Sequence, residues 1–234
     1  MINPILEAHP SVVIAHCPVR NRLLMAVYDA GYPQVSYRFS ANNIGGNPGP
    51  RDGNPKNVLL REIHEEYNPN HGEKTEFGET VLWAPSEEIF LVNQALTRQA
   101  VPYQDFFVKA VQLPGDPTTK NCGGAIFSTF YSQVGEDIIE IVESNLRRCR
   151  RLSCEGLTGI FSIDELANDP VRGNLSTAHA TAPILNHYFN SRIPFPSELR
   201  AEPIGQVRDS FSDYLSEFHY SGKIAKAVGV IQEY

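Results

Sequence analysis

Cysteine is scarce in this sequence, positive charge is in deficit and long apolar runs are missing. Its four cysteines, Cys17, Cys122, Cys149 and Cys154, form no CxxC pair among 234 residues, which excludes a zinc knuckle and a disulfide-built scaffold and leaves reduced, structural thiols. Lys plus Arg number 20 against 27 for Asp plus Glu, a formal charge of -7. That balance argues against a nucleic-acid polymer or an anionic membrane as partner. A small phosphate-bearing molecule stays compatible with it, provided a metal bridges the charges. No run approaches the roughly 20 apolar residues of a membrane helix, and MINPILEAHPSVVIAHCPVRNR lacks the basic start and apolar core of a signal peptide. A cytoplasmic, soluble protein is therefore expected.

What is present reads as an ordinary globular chain, 41% hydrophobic and 20% charged, without internal repeat or low-complexity linker. Strand-like segments at 11–16, 22–29 and 34–40 alternate β-branched, aromatic and apolar residues between turn signals, which suggests an antiparallel start to a sheet. Further strands are expected at 79–85, 103–113, 124–134 and 156–163. Helical patterning marks 55–67, 137–152 and 177–192, 86–99 reads as a helix-like or looped insert, and 164–169 reads as a short turn or helix. The chain is thus expected to form a mixed α/β domain over 1–194, followed by a partly helical C-terminal extension over 195–234.

The stretch GGNPGPRDGNPKNVLLREIHEEYNPN, 45–70, sets a glycine-proline loop ahead of an acidic helix. Asn54-Pro55 is a favoured helix start, and Asn68-Pro69 prevents extension. At 100° per residue, Glu62, Glu65 and Glu66 fall within an arc of roughly 100°, beside an arc carrying Leu59, Leu60, Ile63 and Tyr67, while His64 points away. A solvated acidic face is the plain reading. Like charges at i,i+3 and i,i+4 nonetheless repel unless a cation compensates, and crowded carboxylates suit Mg²⁺ or Mn²⁺. Gly45 and Gly46 permit backbone conformations that turn a carbonyl or amide toward a ligand.

These residues resemble the signature of the Nudix hydrolases: a glycine, five residues, a glutamate, seven residues, then Arg-Glu-apolar-x-Glu-Glu-x-Gly-apolar. REIHEE supplies Arg61, Glu62, Ile63, Glu65 and Glu66, and Gly45-Gly46 sits where the family has its glycine pair. RNRLLMAVYD resembles the preceding strand, and EGLTGIFSIDELAND, 155–169, the late strand and acidic segment that follow, so the resemblance spans about 10–190. Two positions depart from the pattern. Gly53 stands where the first glutamate belongs, with Asp52 next door as a candidate substitute, and Asn68 replaces the closing glycine ahead of Pro69.

The resemblance implies an α/β/α sandwich with a mixed sheet and a metal-dependent hydrolase that splits the phosphoanhydride bond of a nucleoside diphosphate linked to another group. By the same resemblance Glu62, Glu65 and Glu66, with the carbonyl of Gly46, would hold Mg²⁺ or Mn²⁺, and Arg61 would orient a glutamate. Glu62 and Glu155 are both candidates for the general base. Trp83, Tyr103 and Phe107 are candidates to stack the nucleobase, against the plainer reading of large aromatics as core. The segment 68–105 and the C-terminal extension would shape substrate choice or a homodimer contact. Gly53 also keeps open a domain that has lost turnover and binds a nucleotide as a sensor, and a structural α/β protein with an acidic surface helix is the third reading.

Overall fold

The computed structural model describes residues 3–32, 35, 38–70, 80–109, 124–168, 180–195 and 199–230. In chain order its strands are β1 (Ile5–Ala8), β2 (Ser11–Cys17), β3 (Arg22–Tyr28), β4 (Ala41–Asn42), β5 (Ile44–Gly46), β6 (Leu82–Trp83), β7 (Val101–Lys109), β8 (Gly124–Gln133), β9 (Arg150–Arg151), β10 (Gly156–Phe161), β11 (Arg200–Gly205) and β12 (His219–Tyr220). The helices are α1 (Pro55–Glu66), α2 (Ser86–Arg98), α3 (Glu136–Arg147), α4 (Ile163–Asn168), α5 (Thr181–Phe189) and α6 (Gly222–Ala227), with a 3₁₀ turn at Phe211–Tyr214.

Among the described residues ten strands form one mixed sheet, in the order β10-β3-β2-β8-β1-β12. From this path β7 pairs with β8 and carries β11, while β4 joins β3 and β5 joins β2. The expected hairpin is present, with β2 and β3 antiparallel. β2 and β8 run parallel, which makes the sheet mixed.

Both faces of the sheet are buried, and the alternation of side chains along a strand shows how. Val13 and Ala15 of β2, with Leu24 and Ala26 of β3, join Leu59 and Ile63 of α1, Val92 and Leu96 of α2, and Ile139 and Val142 of α3. The intervening Val12, Ile14, Leu23 and Met25 face the other way, onto Ala182, Ile184 and Leu185 of α5, with α4 partly buried beside them. Helices thus cover both sides of one sheet. That agrees with the expected α/β class.

Element boundaries differ from the sequence reading where the signal was weak. The helix expected at 137–152 ends at Arg147, because Cys149 adopts φ 54 and the chain turns into β9. Of the strand expected at 34–40, the described Arg38 and Phe39 lie in a turn, with Phe39 at φ 62, and the remainder falls largely outside the described residues. The strand expected at 79–85 shortens to β6, which pairs with β9. No described helix is long and apolar enough to cross a membrane.

The residues after 199 are built into the sheet. β11 runs antiparallel to β7, and β12 runs parallel to β1. Phe211, Tyr214, Phe218 and Tyr220 form a third core with Leu6, Val58 and Ile126. Inside it lies a buried polar network. Ser128 Oγ donates to Asp105 Oδ1 at 2.7 Å and Tyr214 OH donates to Asp105 Oδ2 at 2.6 Å. With its own proton committed, Ser128 Oγ accepts from His9 Nε2 at 3.0 Å, so His9 Nδ1 accepts from Tyr220 OH at 2.9 Å. Burial holds His9 down at about 3, helped by the charge of Arg208. Burial also pushes Asp105 up to about 6, against the hydrogen bonds of Tyr214 and Ser128.

Candidate functional site

Helix α1 forms where the sequence places it, because Asn54 caps it and Pro55 fits its first position. The Asn54 side chain accepts from Asn57 N at 2.8 Å, and the helix closes with Tyr67 N donating to Ile63 O at 2.9 Å. Asn68 is not left-handed; its side chain accepts from Asn70 N at 2.9 Å, consistent with the constraint that Pro69 imposes. Val58, Leu59 and Ile63 are fully buried, each worth about 1.5–3 kcal/mol of burial, and they anchor the helix on the sheet. The adjacent carboxylates are therefore presented from a rigid element.

Their environments form a gradient. The side chain of Glu65 is 60% exposed, that of Glu62 16%, and Glu66 as a residue only 2%. A uniformly solvated acidic face would not place Glu66 in the buried arc. Burial raises the pKa of Glu62 above its ordinary value, against the opposing charge and hydrogen bond of Arg61.

Arg61 organises the cluster. Its Nε donates to both oxygens of Asp52 at 3.2 Å, Nη1 to Glu65 Oε2 at 2.6 Å, and Nη2 to Glu62 Oε1 and to the carbonyl of Asn47, each at 2.7 Å. Burial opposes the Arg61 charge, but the hydrogen bond of Asp52 and the charges of Glu62 and Asp52 outweigh it and raise its pKa. Asp52 is itself buried and accepts from Gly49 N at 2.6 Å, while its carbonyl takes Asn57 Nδ2 at 2.6 Å. Asp52, the residue before Gly53, is thus the acid of this loop that meets Arg61. Gly53 adopts φ +69 with open space around it, a conformation that glycine tolerates best.

Gly46, at the end of β5, lies against Glu62. A methyl group there would sit 2.5 Å from the Glu62 carboxyl carbon, so a larger residue would have to displace the Glu62 side chain. Glu66 lies one turn beyond Glu62, where its carbonyl accepts from Cys154 N at 3.0 Å and joins α1 to the segment ahead of β10. Glu155 follows in that segment. Tyr28 and Tyr67 are each held well above the ordinary tyrosine value, first by burial, and Glu66 and Glu155 both contribute. The Cys154–Glu66 bond thus puts Glu155 in the segment that meets the C-terminal end of α1. Arg61 meets Glu62 and Glu65, and Glu62 meets Gly46.

The three candidate stacking rings are not brought together. Trp83 packs on the side of α1, α2 and α3. Tyr103 lies on the opposite face, its hydroxyl 2.9 Å from His187 Nδ1 and its ring edge-on to Tyr188. Phe107 belongs to the third core, its ring covering Gly124 and lying 5.8 Å from Phe218. Tyr28 and Tyr32 form a separate aromatic pair, stacked at 3.9 Å and 20°. Residue spacing does not reveal it, because a turn brings Tyr32 back onto the strand that holds Tyr28.

The donor set that the signature resemblance implies, three carboxylates and the Gly46 carbonyl, consists of hard oxygens, the ligand chemistry of a small divalent cation of the Mg²⁺ or Mn²⁺ kind. Among the described residues, no group of three or more His, Cys, Asp or Glu side chains converges as a metal cage, and Glu62 and Glu65 are both turned onto Arg61. A cation there would share these carboxylates with the guanidinium.

No protein-family model matches the chain, and no curated protein matches it. Among solved structures, it is similar to the crystal structure of a MutT/nudix family protein from Enterococcus faecalis at 13% identity and a TM-score of 0.27, over 56% of this chain and 40% of that one. The aligned part thus spans less than half of that protein's length. A likeness of this size carries no weight for fold or chemistry.

Proposed function

We propose that the protein is a metal-dependent hydrolase of the Nudix type, acting on the phosphoanhydride bond of a small nucleoside diphosphate linked to another group. The observation that carries this reading is the Asp52–Arg61–Glu62 arrangement, which supports the signature resemblance at the position where the sequence departs from it.

In this reading Glu62, Glu65, Glu66 and the Gly46 carbonyl would hold Mg²⁺ or Mn²⁺. When bound, the ion supplies charge neutralisation on the diphosphate and a lower pKa for the attacking water. Arg61 orients Glu62 and Glu65 and limits their repulsion. A carboxylate accepts the proton of the water as its oxygen bonds to phosphorus and the bridging P–O bond breaks, which leaves two phosphorylated products. Glu62, partly buried with a raised pKa, is the first candidate for that proton, and Glu155, in the segment that meets the C-terminal end of α1, is the second. Tyr32, stacked on Tyr28, offers an aromatic surface for a base.

A second reading is favoured by one observation: Arg61 already occupies both Glu62 and Glu65. In that reading the domain binds a nucleotide without turnover. The discriminating assay offers Mg²⁺ or Mn²⁺ with ADP-sugars, dinucleoside polyphosphates, NADH and nucleoside triphosphates, beside Glu66→Gln. Metal-dependent release of a nucleoside monophosphate, lost in the variant, supports the hydrolase. Binding without turnover supports the sensor.

A further inference from the structure

The glycine-proline loop that supplies Asp52 is held from outside by the C-terminal segment. Phe211 N donates to Gly53 O at 3.2 Å, next to the residue that holds Arg61. Phe211 opens the 3₁₀ turn, where its own N–H is not needed by the turn, so this donor is available to the loop. Ser210 and Asp213 cap the turn reciprocally: Ser210 Oγ accepts from Ser212 N at 3.2 Å and Asp213 Oδ2 accepts from Ser210 N at 3.1 Å.

The turn is fixed in its place by buried contacts. Phe211 and Tyr214 are fully buried in the same core as Val58 of α1, and Tyr214 OH reaches Asp105 at 2.6 Å. Asp105 is tied through Ser128 to His9, and His9 to Tyr220. Strand β12 pairs with β1 beside this network. A continuous set of contacts therefore runs from the sheet through Tyr214 and Phe211 to Gly53, Asp52, Arg61 and Glu62.

We propose that Phe211 is a positioning residue whose backbone amide, seated by the Tyr214–Asp105 bond, sets the left-handed Gly53 and so aims Asp52 at Arg61. This inference rests on reading the Arg61 cluster as the site. It assigns the C-terminal segment a part in shaping that site without touching substrate. The acid that meets Arg61 comes from position 52, and the loop between Gly49 and Asn54 must hold the shape that allows it.

The test compares Phe211→Pro with Phe211→Ala in the full chain. Both lose the ring, but only proline loses the N–H, and proline is tolerated at the first position of a helical turn. Hydrogen exchange at Gly49 and Asp52 is expected to run about tenfold faster in the proline variant, with exchange in β3 equal in the two. Tyr214→Phe, which keeps the ring and removes the bond to Asp105, is expected to speed the same amides by a smaller factor. Equal loop exchange in the proline and alanine variants, or acceleration that spreads equally to β3, overturns the proposal. If neither Phe211 variant folds, Tyr214→Phe decides: faster exchange confined to the loop supports it, and unchanged exchange overturns it. Exchange needs no turnover, so a freed loop in a protein that hydrolyses nothing sinks the hydrolase reading and leaves this one standing. Metal-dependent hydrolysis with unaltered loop exchange does the reverse.

Discussion

Arg61 Nε lies 3.2 Å from both side-chain oxygens of Asp52, which is 7% exposed, while the same guanidinium reaches Glu62 and Glu65. A buried carboxylate thus balances a charge that would otherwise lean entirely on the two site glutamates. Asp52→Asn keeps the shape and removes the charge. It is expected to cost about 1–3 kcal/mol in urea unfolding and to lower hydrolysis roughly tenfold or more, as loss of a supporting contact does. Unchanged rates in a folded variant would remove Asp52 from the account.

Gly46→Ala tests the close seat beside Glu62. The added methyl meets the carboxyl end of a flexible side chain at 2.5 Å, so Glu62 moves and the backbone need not. Thermal unfolding is expected to change little, while the hydrolytic rate falls roughly 10- to 100-fold. A proportionate loss of both points to a purely structural glycine.

Gly53 makes the opposite case. Space around it is open, but its φ of +69 is unfavourable for a side chain. Gly53→Ala is expected to destabilise by about 1 kcal/mol in denaturant unfolding, and Gly53→Asn by less, since asparagine tolerates this region better. Equal losses in the two variants would mean that the strain is not in the backbone.

His9 and Asp105 make opposing contributions to stability against pH. As pH falls through 6.5 the unfolded chain protonates at His9, whereas the folded protein does so only at about 3, so stability is lost on acidification across that window. Asp105 protonates at about 6 when folded but at 3.8 when unfolded, so acidification between those values adds stability. From about pH 6 to about pH 4 the two slopes nearly cancel. His9→Asn removes only the first. Whatever its overall cost, the variant's unfolding free energy is expected to rise relative to the native chain by about 1.4 kcal/mol per pH unit as pH falls through that range. Parallel curves from denaturant titrations would contradict this.

What was legible in the sequence was local. Asn54-Pro55 and Asn68-Pro69 bracket α1 because caps and proline constraints act within a few residues, and REIHEE fixes which side chains share its face. The contact of Asp52 with Arg61 was visible only as the adjacency of Asp52 to Gly53, since it forms across a loop with a left-handed turn at Gly53 that accepts an amide from Phe211. The short strands β1, β11 and β12 are defined by distant partners, with Ile5 paired to His219, which no local pattern reports. Trp83, Tyr103 and Phe107 look equivalent as aromatics, yet they fall into three different cores because strand pairing decides which face each one meets.

The claim that these carboxylates hold a divalent cation is tested most directly by Mn²⁺ titration followed by electron paramagnetic resonance, comparing the native chain with Glu66→Gln. The account predicts bound Mn²⁺ in the native protein and markedly weaker binding in a variant that still folds. No bound Mn²⁺ in the native chain, or equal binding in the two, would contradict it.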